Sequence, residues 1–98
     1  MISHALAIDV GTTIDAPVGG VLITLRALNL ERKEFHGPTY PPDVAVAMTE
    51  PGGKPKHAML QVGYAMLFET QAGIRLELRF MRAESKQLAH FRLSDLTS

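Results

Sequence analysis

Four histidines, His4, His36, His57 and His90, are the nitrogen donors from which this sequence could build a metal site. None is spaced i, i+4 as on a helix or His-x-His as on a strand, so a metal would need ligands from distant parts of the chain. His57 and Met59 share one face of an extended segment. With Met48 or Met81 beside them they would form a soft copper site. Methionine is equally a flexible filler of cores, and a single surface histidine needs no role. No metal and no other cofactor is expected. Nucleophilic catalysis has less to work with. Ser3, Ser85, Ser94 and Ser98 fall near the chain ends or in a turn, and no Gly-x-Ser-x-Gly elbow is present. Asp9, Asp15 and Asp43 sit in loops or at strand ends, where aspartate serves the backbone through local hydrogen bonds. Gly19-Gly20 precedes a strand and Gly52-Gly53 lies between prolines, so neither is a phosphate-cradling loop opening a helix. No catalytic residue is assigned, and the chain reads as a non-enzyme.

The elements that must position any site are strands. In Gly73 to Arg82, the apolar Ile74, Leu76, Leu78 and Phe80 alternate with Arg75, Glu77 and Arg79, the period of a half-buried strand. His57 to Glu69 reads as a second extended segment, with Leu60, Val62, Tyr64, Met66 and Phe68 on one face. Pairing Phe68 with Ile74 makes the two a hairpin, with Gly73 supplying the positive φ of the turn. A third strand from about Gln87 to Leu93 turns Ala89, Phe91 and Leu93 inward. Upstream, Asp43 to Thr49 alternates around Val44, Val46 and Met48, and Leu6, Ile8 and Val10 form a shorter run. Val21, Ile23 and Leu25 share a face, after which the parity slips and Leu28 and Leu30 replace Ala27 as the apolar positions. A β-bulge near Ala27 explains the slip; a helical turn over residues 25–33 is the competing reading.

About six strands without a helix predict a single domain over residues 1–98 of the all-β class. The expected architecture is a small antiparallel β-sandwich, immunoglobulin-like in layout, with a partly open β-barrel as the alternative. The chain has no cysteine and no tryptophan, so the Cys…Trp…Cys pattern of true immunoglobulin domains is absent.

This arrangement gives the outer face of residues 57–93 a character of its own. If Phe80 pairs with Phe91, Arg79 opposes Arg92 and Met81 opposes His90. Like charges directly across a ladder repel. Glu77 is the adjacent acid that can offset them, and an external acidic group is the alternative. Beside the arginines run Met59, Gly63, Ala65, Leu67 and Met81, a flat and partly apolar strip. Either the second sheet of the sandwich covers it or another protein does. The expected partner-binding residues are therefore Gly63, Ala65, Leu67, Arg75, Arg79 and Arg92. The partner is a protein or a second copy of the chain, in which Arg75 or Arg79 reaches Glu69 or Glu77 across a two-fold axis. A second expectation is a small-ligand module taking a peptide or sugar on the loop aromatics, or a copper-binding module using the His/Met residues. Phe35, His36 and Tyr40, in the proline-bearing loop from Phe35 to Pro42, form the expected ligand-binding set. The same Phe35 and Tyr40 would serve equally to plug the open end of the sandwich.

Composition narrows the classes further. Ten basic residues balance ten acidic ones, so the strongly basic footprint of a nucleic-acid binder is missing. The balance hides a dipole. Residues 1–50 hold six acids and three bases, and residues 51–98 hold four acids and seven bases. Absence of cysteine excludes a disulfide scaffold, a thiolate zinc site and a cysteine nucleophile. No apolar run approaches the roughly 18 residues of a membrane span. Met1-Ile2-Ser3-His4 lacks the basic head of a signal peptide. A cytoplasmic protein is the default expectation, and a mature exported domain would read the same.

Overall fold

A computed structural model of the chain describes residues 2–18, 20–31, 43–85 and 87–97. Among them are eight strands: β1 (Ile2–Asp9), β2 (Thr13–Val18), β3 (Val21–Glu31), β4 (Asp43–Thr49), β5 (Lys56–Gln61), β6 (Ala65–Glu69), β7 (Arg75–Ala83) and β8 (Leu88–Asp95). They form two antiparallel four-stranded sheets. The central sheet runs β2-β3-β4-β5; the terminal sheet, which holds both ends of the described chain, runs β1-β8-β7-β6. The two pack face to face as a small β-sandwich, the expected fold. No ladder joins β1 to β2 or β5 to β6 among the described residues, so the sheets do not close into a barrel. Within each sheet, every neighbour is a chain neighbour except β8, which returns to pair with β1.

Alternation makes the core. Ile23 and Leu25 on β3, Val44, Val46 and Met48 on β4, Leu76, Leu78 and Phe80 on β7, and Ala89, Phe91 and Leu93 on β8 are all buried in one cluster. The rings of Phe80 and Phe91 lie 5.5 Å apart between centroids and are tilted by 34°, a favourable aromatic contact. The parity slip in β3 is the bulge, with the register shifting between Ala27 and Asn29. Ala27 keeps its place in the core, and Leu28 is the extra residue, turned outward and 38% exposed. The expectation that Leu28 takes over from Ala27 as the inward residue is therefore corrected.

Three further expectations change. The segment from His57 to Glu69 is not one strand. β5 belongs to the central sheet and β6 to the terminal sheet, with a turn between them. Gly63 in that turn has φ +89°, and the Tyr64 amide donates to the Gln61 carbonyl at 2.9 Å. Val62 and Tyr64 are exposed, not inward. They continue the alternation in sequence while the backbone is already turning. In the β6–β7 hairpin, Phe68 pairs with Leu76 and Met66 with Leu78, two residues from the expected register. The wider turn is closed by the Thr70 amide on the Ile74 carbonyl and by the Ile74 amide on Thr70 Oγ1. A shift of two leaves the inward face unchanged, which is why Met66 and Phe68 are still buried. Finally, β2 was not expected as a strand. Ala16 and Val18 point into the core, and Pro17 is tolerated because β2 is an edge.

Core and surface positions should separate sharply in urea denaturation. Phe91→Ala is expected to cost about 3–5 kcal/mol, whereas Leu67→Ala on the exposed side of β6 should stay within about 0.5 kcal/mol.

Candidate functional site

Burial of the inner faces dictates which residues the terminal sheet turns outward, all of them at least partly exposed in the two rows that follow except the buried Ser94. Its outward residues fall in rows across the strands. One row is Leu67, Glu77, Ser94 and Ser3; the next is Ala65, Arg79, Arg92 and Ala5. Arg79 does stand directly opposite Arg92. Glu77 takes the offsetting role: its Oε1 accepts from Arg79 Nε at 3.2 Å and from Arg79 Nη2 at 3.1 Å. Arg79 Nη1 also donates to the Gly63 carbonyl. The guanidinium is thus held between its own strand and the β5–β6 turn, while the Arg92 side chain is exposed. Arg75 is exposed opposite Glu69. Met81 is not opposite His90. A second bulge between Phe80 and Arg82 pairs His90 with Arg82, and His90 Nε2 lies 3.1 Å from Glu84 Oε2.

The expected apolar strip divides between the two sheets. Ala65 and Leu67 lie on the outer face of the terminal sheet, and Gly63 sits at its turn. Met59 is on β5 and faces outward from the central sheet. The second sheet packs on the side of Met66 and Phe68, so it does not cover Leu67.

The β5–β6 side has a distinct surface. Met59, Tyr64 and Leu67 are 61%, 63% and 60% exposed, and Val62 lies between them. β5 and β6 are both edge strands, and the ladder contacts show which groups of β6 are unpaired by β7. Phe80 donates to the Tyr64 carbonyl at 3.0 Å and Thr70 donates to the Ile74 carbonyl at 2.9 Å. The even-numbered residues of β6 therefore address β7, and the amides and carbonyls of Ala65, Leu67 and Glu69 point away from it. One of these carbonyls, that of Leu67, accepts the Lys56 ammonium. At the end of this side the Glu50 carboxylate accepts the Gln71 amide at 3.1 and 3.2 Å, tying the loop before β5 to the loop after β6.

The other candidate chemistries do not assemble. Met48 is buried beneath the central sheet, His57 and Met59 lie on its outer side, and Met81 is on the terminal sheet. Among the described residues no three of His, Cys, Asp and Glu are grouped as metal ligands. Asp15 accepts from Thr24 Oγ1 at 2.8 Å, and Ser3 and Ser94 share a hydrogen bond at 2.9 Å. Ser85 Oγ accepts the Gln87 and Leu88 amides as ordinary turn chemistry. Phe35, His36 and Tyr40 lie outside the described residues. Sequence reasoning missed Lys56, Val62 and Tyr64 as parts of this surface. The available signal was Gly63, a turn residue placed in the middle of an apparently continuous strand.

The chain matches no protein-family model, and comparison with curated proteins and with solved structures gives no match either.

Gly63 fixes the turn that receives Arg79. A Cβ there meets no atom within 4 Å, so substitution is opposed only by the positive φ. Gly63→Ala is expected to lower unfolding free energy by about 1–2 kcal/mol, read from the urea midpoint, with the β-sheet circular dichroism unchanged.

Proposed function

We propose that the chain is a non-enzymatic β-sandwich module that docks another protein along the side where β5 and β6 form the sheet edges. The observation that supports this reading is the exposure of Met59 on β5, Tyr64 in the β5–β6 turn and Leu67 on β6, each about three-fifths exposed and all within nine residues of chain. Covering such side chains is worth about 1–2 kcal/mol each. Edge strands add a row of unpaired backbone groups, which protein partners use by adding a strand. On the flanking outer face Gly63 and Ala65 leave room for close approach beside the exposed Leu67, and Arg75 and Arg92, with Arg79 held by Glu77 between them, offer positive charge to an acidic partner surface.

The test places a photo-cross-linking amino acid at Tyr64 or Leu67 in the producing cell, with Leu22 on the other side of the molecule as control. Tyr64 and Leu67 should each give a discrete cross-linked protein species that the Leu22 position does not. Equal or absent cross-linking at all three positions would remove the reading.

A further inference from the structure

We infer that the protein docked on this side is a second copy of the chain, joined antiparallel through β6 about a two-fold axis at Leu67; this rests on the docking reading above and names its partner. The backbone has the required parity. The groups of Ala65, Leu67 and Glu69 that β7 leaves unpaired are those that a two-fold operation centred on Leu67 would bring together. Leu67 would meet Leu67 of the second copy, and Ala65 would meet its Glu69. Each amide and carbonyl of these three residues then finds a partner, and the amide of the second Leu67 replaces the Lys56 ammonium on the Leu67 carbonyl.

Side-chain charges agree with that register. Within one chain, Ala65 is paired with Arg79 and Glu69 with Arg75. The joined row therefore reads Arg79, Ala65, then Glu69 and Arg75 of the second copy. Each glutamate then lies beside Arg75 of its own copy and meets an alanine methyl, not a like charge, across the seam. The central row places the two exposed leucines against each other, with Glu77 on either flank. Two other pairings are disfavoured. β2 contains Pro17, which has no amide to donate. The same operation on β1 centred on Ala5 would draw together the two rows containing Arg92.

Sedimentation equilibrium of the purified chain tests the pairing over about 1 to 500 μM. The mass should rise with concentration toward twice 10.7 kDa. Leu67→Asp sets two carboxylates face to face on the axis and should hold the mass at that of one chain, with the thermal transition retained. Glu69→Arg lines up like charges and should weaken association by about tenfold or more, while Leu22→Asp, another exposed apolar position, should associate as the unaltered chain does. A chain that stays monomeric throughout, or a dimer that survives Leu67→Asp and Glu69→Arg, overturns the pairing. If the unaltered chain is monomeric while Tyr64 and Leu67 still cross-link to a species of another mass, self-pairing fails and the docking side stands. If it is monomeric and those cross-links are also absent, both fail.

Discussion

Phe80 and Phe91 face each other across β7 and β8, both buried at the centre of the sandwich. Because side chains alternate along a strand, placing those two rings inward places Arg79 and Arg92 outward and opposite one another. The repulsion on the surface is thus a by-product of the aromatic contact beneath it. The molecule answers it locally, through Glu77 and the Gly63 carbonyl on Arg79. The burial that holds the two sheets together sets both the charge pattern of the terminal sheet and the position of the β5–β6 turn.

Two bulges adjust this plan without disturbing it. Each inserts one residue and lets the chain keep its inward set beyond the insertion. In β3 the inserted residue is Leu28, and Ala27 remains in the core opposite Val46. In β7 it is Met81, after which Arg82 and Ala83 pair with His90 and Ala89. Both leave a large apolar side chain on an outer face. An exposed Leu28 or Met81 is accordingly a consequence of strand geometry, unlike Met59, Tyr64 and Leu67, which follow one another through β5, the turn and β6.

Much of the fold was legible from period-two alternation, because β4, β7 and β8 each bury one face and expose the other. Their inward residues follow directly from parity, and parity survives a register shift of two, as β6 shows with Met66 and Phe68. Parity does not reveal a change of sheet. Val62 and Tyr64 keep the rhythm of β5 and β6 while the backbone turns at Gly63, so one apparent strand is two. β2 was hidden for another reason: Asp15 and Pro17 are poor strand formers and are accommodated at an edge. On the candidate surface, the Arg79–Arg92 opposition and the role of Glu77 were readable once Phe80 was paired with Phe91. The Lys56 contact to β6 and the Glu50 contact to Gln71 were not, since both join different sheets or distant loops, and side-chain reach across a gap leaves no periodic mark.

The pairing of β1 with β8 closes the terminal sheet with the first and last strands of the described chain. On the ribosome these segments emerge far apart in time. β2 to β5 follow one another and can assemble the central sheet as soon as they leave the exit tunnel, because all their ladders are between sequential strands. β1, made before them, has no ladder partner until β8 has been synthesised. The terminal sheet is therefore completed only once β8 has emerged, and until then Ile8 and Leu6 lack the strand beside which they are buried.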